Sequence, residues 1–142
     1  HDNYLIAILR RLNVLLHQSH LTEQDYSFTH GHLPLKLREL KGTVLMGHEH
    51  PSVRIREETG VTHKFKCFLV GDIDGRDLIV LPASNELARG VDINIVSPSE
   101  LLSPALRGCD LSLFTPYLLD TGSAVRRFPK LKFLDARSFR KG

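Results

Sequence analysis

Thr43-Val44-Leu45-Met46-Gly47-His48-Glu49-His50-Pro51-Ser52-Val53-Arg54-Ile55-Arg56 is the stretch on which the fold turns. Thr43 to Met46 reads as a short apolar strand, and Gly47 stops it. A His-Glu-His triplet follows. Val53 and Ile55 then alternate with Arg54 and Arg56, the period-two signature of a half-buried strand. A strand, a histidine-bearing turn and a second strand are therefore expected within these fourteen residues.

Working downstream, Thr59-Gly60 supplies a turn, and Phe65, Cys67 and Leu69 alternate with Lys64, Lys66 and Phe68. Asp74-Gly75 is a strong two-residue hairpin signal before Asp77 to Leu81. Three consecutive antiparallel strands are expected between Ser52 and Leu81. Ser97-Pro98-Ser99-Glu100 is a capping box with proline at the first helical position, and Pro104 limits the helix. No element is assigned after Gly108.

Working upstream, Tyr26 to Thr29 reads as a strand that ends at His30-Gly31-His32. Leu33 to Leu40 reads as a short helix with Gly42 as its stop. Val14 to Leu16 reads as a short strand. Residues 2–12 read as a buried helix, because Tyr4, Leu5, Ile6, Ala7, Ile8, Leu9 and Leu12 are apolar on nearly every side and Asp2 can cap it.

The 142 residues predict one domain, 1–142, with ordinary apolar (42%) and charged (25%) fractions. No apolar run approaches the roughly 18 residues of a membrane span, so no membrane partner is expected. Cys67 and Cys109 are too few for a disulfide scaffold or a four-cysteine zinc site, and they suit a reducing, cytoplasmic setting. Charge is concentrated at one end. Residues 126–142 carry +6, while the other 125 residues sum to −3. Phe128, Phe133 and Phe139 interleave with the cations of this basic tail, a pattern that suits phosphate neutralisation and stacking on unpaired bases.

The chemistry rests with histidine. Four of the eight histidines fall into two tight pairs, His30-Gly31-His32 and His48-Glu49-His50, each directly after a short apolar strand. Neutral imidazole ligates Zn, Fe or Ni, and two such pairs on neighbouring strands can supply several nitrogen ligands. A two-metal site also needs a bridging carboxylate or water, and the nearby acids are Asp2, Asp25 and Glu49. His17, His20 and His63 lack such a setting and read as ordinary surface or core residues. Asp72-x-Asp74-Gly75 resembles the start of a calcium loop, but Arg76 stands where an acid is needed, so it reads as a turn. Nucleophile elbows and phosphate-binding glycine loops are absent from the sequence.

Gly47-His48-Glu49-His50-Pro51 resembles the Gly-His-x-His signature of the calcineurin-like metallophosphoesterases. Thr29-His30-Gly31-His32 resembles the histidine motif that precedes it, and His1-Asp2-Asn3 the second half of the Gly-Asn-His-Asp motif. The order and rough spacing agree over residues 1 to 135. The branch it resembles most is that of the archaeal SbcD-related phosphoesterases and the ligase-associated repair endonucleases. The resemblance implies an α/β fold, part of a two-layer β-sandwich flanked by helices, with a strand-rich region at 52–81. It implies His30, His48 and His50 as metal ligands, and His1 as a catalytic group oriented by Asp2. It places His32 beside the substrate. The cofactors implied are two divalent ions, Mn, Fe, Zn or Ni, which would neutralise charge on the phosphoryl oxygens during in-line attack.

The family's earlier motifs, Asp-x-His, Gly-Asp-x-x-Asp and the Gly-Asn before His1, have no counterpart here. The chain is therefore expected to be the C-terminal portion of such a domain, exposing apolar surface and inactive by itself for want of the bridging carboxylate. The expected function of the intact protein is metal-dependent hydrolysis of phosphate mono- or diesters through a dinuclear centre, with nucleic acid as a candidate substrate. The alternatives are a non-catalytic nucleic-acid-binding module or an inactive metal-binding fragment.

Overall fold

The computed structural model describes residues 4–57, 59–119 and 124–134. Its frame is one connected sheet. Strand β1 (His20–Glu23) pairs antiparallel with β2 (Tyr26–Thr29), and β2 pairs parallel with β3 (Thr43–Met46). β4 (Pro51–Arg56), β5 (Thr62–Ile73) and β6 (Arg76–Val80) follow as the antiparallel run expected between 52 and 81. β3 then pairs parallel with β6. The Asp74-Gly75 turn joins β5 to β6 with both residues at positive φ, 52° and 82°. That is the backbone a tight hairpin needs and the reason the dipeptide is informative.

β5 is the spine of the fold. Its first half pairs with β4, and its second half lies between β6 and β8 (Thr115–Leu119). Beyond β4 lies the short β7 (Val91–Asp92), and beyond β8 lies β9 (Val125–Arg127). The fold is thus mixed α/β, with a multi-stranded sheet and few helices among the described residues.

The strand pattern fixes the core. Val44 and Met46 of β3 are buried, while Thr43 and Leu45, which alternate with them, are half-buried. Cys67 and Leu69 of β5 and Leu78 and Val80 of β6 are sealed in the same cluster, joined by Phe114. Burial pushes the Cys67 thiol up to about 12, so it stays protonated and acts as a small apolar group.

The helices depart most from expectation. Helix α1 spans Leu5–Arg11 and has no buried residue, so the apolar helix read as buried lies open. Its expected cap, Asp2, is outside the described residues, and Tyr4 occupies the N-cap position. Val14 to Leu16 forms no strand. The expected helix over Leu33–Leu40 shrinks to a 3-10 turn at Leu37–Glu39, bounded by a non-helical Lys36 (ψ 88°) and an extended Leu40 (ψ 152°). The capping box at Ser97 does form, yet the turn it starts ends after Glu100. Leu101 is extended and buried, and its carbonyl accepts from the Arg107 guanidinium at 2.9 and 3.1 Å rather than from a following helical turn.

The start of the basic tail docks on the sheet. β9 carries Arg126 and Arg127 alongside β8, and Leu131 is buried. Phe128 packs against the core, whereas Phe133 is exposed with the Lys132 ammonium 5.0 Å from its ring centroid. Residues 135–142, with Phe139, lie outside the described residues.

Candidate functional site

The two histidine pairs meet because β2 and β3 are parallel and in register. Thr29 is the partner of Met46, so the residues after them leave the sheet at the same end. The Gly47 amide donates to the Thr29 carbonyl at 3.3 Å and extends that alignment into the turn. Val80 also pairs with Met46, so the chain leaving β6 emerges there too. Carboxyl ends of parallel strands are where open α/β sheets collect ligands.

Three imidazoles cluster at this end. The His30 ring centroid lies 4.9 Å from that of His48 and 5.1 Å from that of His32. His32 and His48 are 6.1 Å apart. His30 and His32 are exposed, and His48 and His50 are half-buried. Partial burial lowers the pKa of His30, and charge on His32 and His50 would lower it further. Burial likewise lowers that of His48, followed by the influence of His30, His32 and His50. Both shifts favour neutral imidazole, the protonation state that can ligate a metal.

The backbone of the second histidine pair is not extended. His48 and His50 are both left-handed, at φ 64° and 50°. Such a conformation costs a non-glycine residue on the order of 1 kcal/mol or more, and it survives only where neighbours enforce it. Here the Glu49 amide donates to the Gly47 carbonyl at 2.8 Å, and the His50 carbonyl accepts from Val91 at 3.0 Å.

Glu49 is the residue whose role the sequence hides. It is fully buried, and its carboxyl accepts from the Leu102 amide at 3.1 Å and the Ser103 amide at 2.7 Å. Ser103, also fully buried, donates its hydroxyl to the Gly31 carbonyl at 2.7 Å. Gly31 has φ +91°, and a Cβ there would stand 2.7 Å from Met46 Cγ, so only glycine fits. No local signal could reveal Ser103, because it lies 54 residues from Glu49 and 72 from Gly31.

The donor set suits a borderline divalent ion in chemistry, since imidazole nitrogen is its ordinary ligand. It is incomplete in number. Among the described residues, no group of three or more His, Cys, Asp and Glu side chains is arranged to hold an ion. Glu49 is turned into the core and Asp25 lies at the far end of β2, where its carbonyl accepts from Thr43. His1 and Asp2 lie outside the described residues. The cluster is also open to solvent. Two cavities of about 430 Å³ each, one beside Ile93 and Leu131 and one beside Leu35 and Ile73, contain no histidine.

No protein-family model matches the chain, and no curated protein sequence matches it. Among solved structures it is similar to the crystal structure of the Pseudomonas putida nuclease MPE, with 22% sequence identity and a TM-score of 0.50. The match covers 84% of this chain and 45% of that one, so the chain spans about half the length of the structure it resembles. At that identity the likeness is one of fold.

Proposed function

We propose that this chain contributes the histidine-bearing part of a metal-dependent phosphoesterase that hydrolyses phosphate mono- or diesters, nucleic acid among them, through a dinuclear centre. The observation that carries the reading is the 4.9 Å approach of His30 and His48 at the ends of adjacent parallel strands. The lowered pKa of both rings supports it, as does the fold shared with a protein described as a nuclease.

In this reading His30, His48 and His50 hold divalent ions, Mn, Fe, Zn or Ni, with carboxylate ligands drawn from outside the described residues. When bound, such ions act as Lewis acids on a phosphoryl group and make water a better nucleophile at neutral pH. The chain's own part is to keep His30 and His48 neutral and convergent. His32, exposed beside both, donates a hydrogen bond to a phosphate oxygen in this reading, which its nearness to the two rings supports. His1, oriented by Asp2, is assigned proton donation to the leaving oxygen.

The test is metal content and hydrolysis by the native protein that carries this sequence, against a phosphodiester and single-stranded DNA. His48→Ala and His50→Ala should each lower metal content and nearly abolish turnover. His1→Ala should keep the metal and slow the reaction by roughly 100- to 10,000-fold, the usual range for a general acid. Unchanged turnover in both His48→Ala and His50→Ala would overturn the reading.

A further inference from the structure

The two histidine turns are bound together by a third segment, through hydrogen bonds of Glu49 and Gly31. Leu101–Ser103 runs across the strand ends with its polar groups committed on both sides. The Leu101 carbonyl is held by Arg107, and the Leu102 and Ser103 amides are held by Glu49. The Ser103 hydroxyl is held by the Gly31 carbonyl. Leu101 anchors the segment in the core, and Pro104 biases Ser103 towards an extended backbone. Glu49 sits between His48 and His50, and Gly31 sits between His30 and His32. The segment therefore joins the middle of one histidine pair to the middle of the other.

We propose that Leu101–Ser103 is a strap that sets the separation of the two histidine pairs, and that Glu49 and Ser103 are the positioning residues of the site. The physical need is specific. His48 and His50 occupy a left-handed backbone that relaxes unless something holds Glu49 inward. Two amide donors aimed at one buried carboxyl do that, and they leave both flanking imidazoles on the outer side of the turn. The Ser103 hydroxyl then carries the same reference point to Gly31, and so to His30 and His32. Metal sites depend on such outer contacts, and losing one typically weakens binding about 10- to 100-fold. The strap's bearing on metal binding rests on the function proposed above; its bearing on the geometry of the histidines does not.

The experiment separates the two. Ser103→Ala in the full 142-residue chain deletes the hydroxyl tie and keeps the amide bonded to Glu49. With histidine-labelled protein, cross-relaxation between the His30 and His48 ring protons should fall at least about twofold, in line with the steep distance dependence of a contact now at 4.9 Å. Amide signals of β4 and β5 should stay in place. Ser103→Thr, which keeps the hydroxyl, should retain the ring contact. If Ser103→Ala does not fold, Glu49→Gln, nearly unchanged in shape, serves instead and should weaken the same contact by setting an amide NH2 against a backbone donor. Zn²⁺ titration of the same proteins should show about 10-fold weaker binding in the variant. A ring contact unchanged in the variant that folds overturns the strap. A wild-type chain with the ring contact but no zinc binding counts against the proposed metal role and leaves the strap standing.

Discussion

Residues 5–16 and the pair β3 and β6 are both rich in aliphatic side chains, yet they end in opposite environments. Met46 and Val80 are 0% exposed, whereas Leu15 is 79% exposed and Tyr4, just before the run, 82%. The difference lies in what each run is joined to. β3 has neighbours on both sides, β2 and β6, and the layer formed by Leu101, Leu106 and Phe114 belongs to the same core. Helix α1 has no buried residue, and Leu9 alone among its side chains is half-buried. Apolar content creates a demand for burial, and the topology decides whether the demand is met within the described residues.

The largest effect should come from the sealed side. Leu69→Ala and Phe114→Ala remove side chains that are 0% and 1% exposed, and each should destabilise the chain by about 3–5 kcal/mol in urea unfolding. A loss below about 1 kcal/mol for either would mean that the core is loose and the contrast with α1 is false. Gly31→Ala should come next, at about 1–3 kcal/mol, because the new methyl meets Met46 at a backbone of φ +91°. Stability close to wild type there would show that the first histidine turn can shift away from β3.

Much of the sheet is legible in the sequence. The three strands between 52 and 81 are readable because alternation and the Asp74-Gly75 turn are local signals. So is the placement of both histidine pairs after strands. β1 is not, since His20-Leu21-Thr22-Glu23 is a polar edge strand whose only register partner among the described residues is β2. The helix over residues 2–12 was read as buried from composition, and composition says nothing of what covers it. Two carboxylates mark the same boundary. Asp92 binds Lys64 and Arg54 across two strands, and Glu49 binds amides 53 and 54 residues away. Long-range polar ties of this kind have no period and leave no trace in a single sequence.

Asp92→Asn should cost about 1–2 kcal/mol, less than a core truncation, because Arg54 is half-exposed and Lys64 keeps its bond to the Gly90 carbonyl. Burial tends to raise the Asp92 pKa, but hydrogen bonds from Lys64 and Ser52 and the two cations outweigh it and hold it low. Its contribution is present above the ordinary carboxylate value of 3.8 and is lost as pH falls through the depressed one. Chemical denaturation of wild type and variant between pH 6 and pH 2 checks both points. Curves that stay parallel across that range would remove Asp92 from the account.

The histidine end has the opposite charge chemistry, and its dependence on pH falls in a higher window. His30 and His48 have folded pKa values below 6.5, so the unfolded chain binds protons more readily than the folded one just under that pH. Stability is therefore full above about pH 6.5 and declines as pH falls towards the depressed values. Thermal melts of wild type and of a His30→Gln, His48→Gln double variant should diverge in that window, with the variant less sensitive to acid. Identical slopes would mean that the rings do not feel burial and one another as their 4.9 Å approach requires.

The smallest effect should come from α1, and it cuts most directly into the comparison. Ile8 is 51% exposed, and no residue of its helix is buried. Truncating a side chain that already faces water forfeits little transfer free energy and opens no cavity, so Ile8→Ala should change stability by less than about 0.5 kcal/mol. Alanine's higher helix propensity even favours the variant slightly. The measurement is urea unfolding of the 142-residue chain at two protein concentrations tenfold apart. A loss of about 2 kcal/mol at both concentrations would mean that the helix packs within its own chain after all. A loss that grows with concentration would mean that a second copy covers it, because association adds stability by mass action. A flat result keeps α1 as an apolar surface without a counterpart among the described residues.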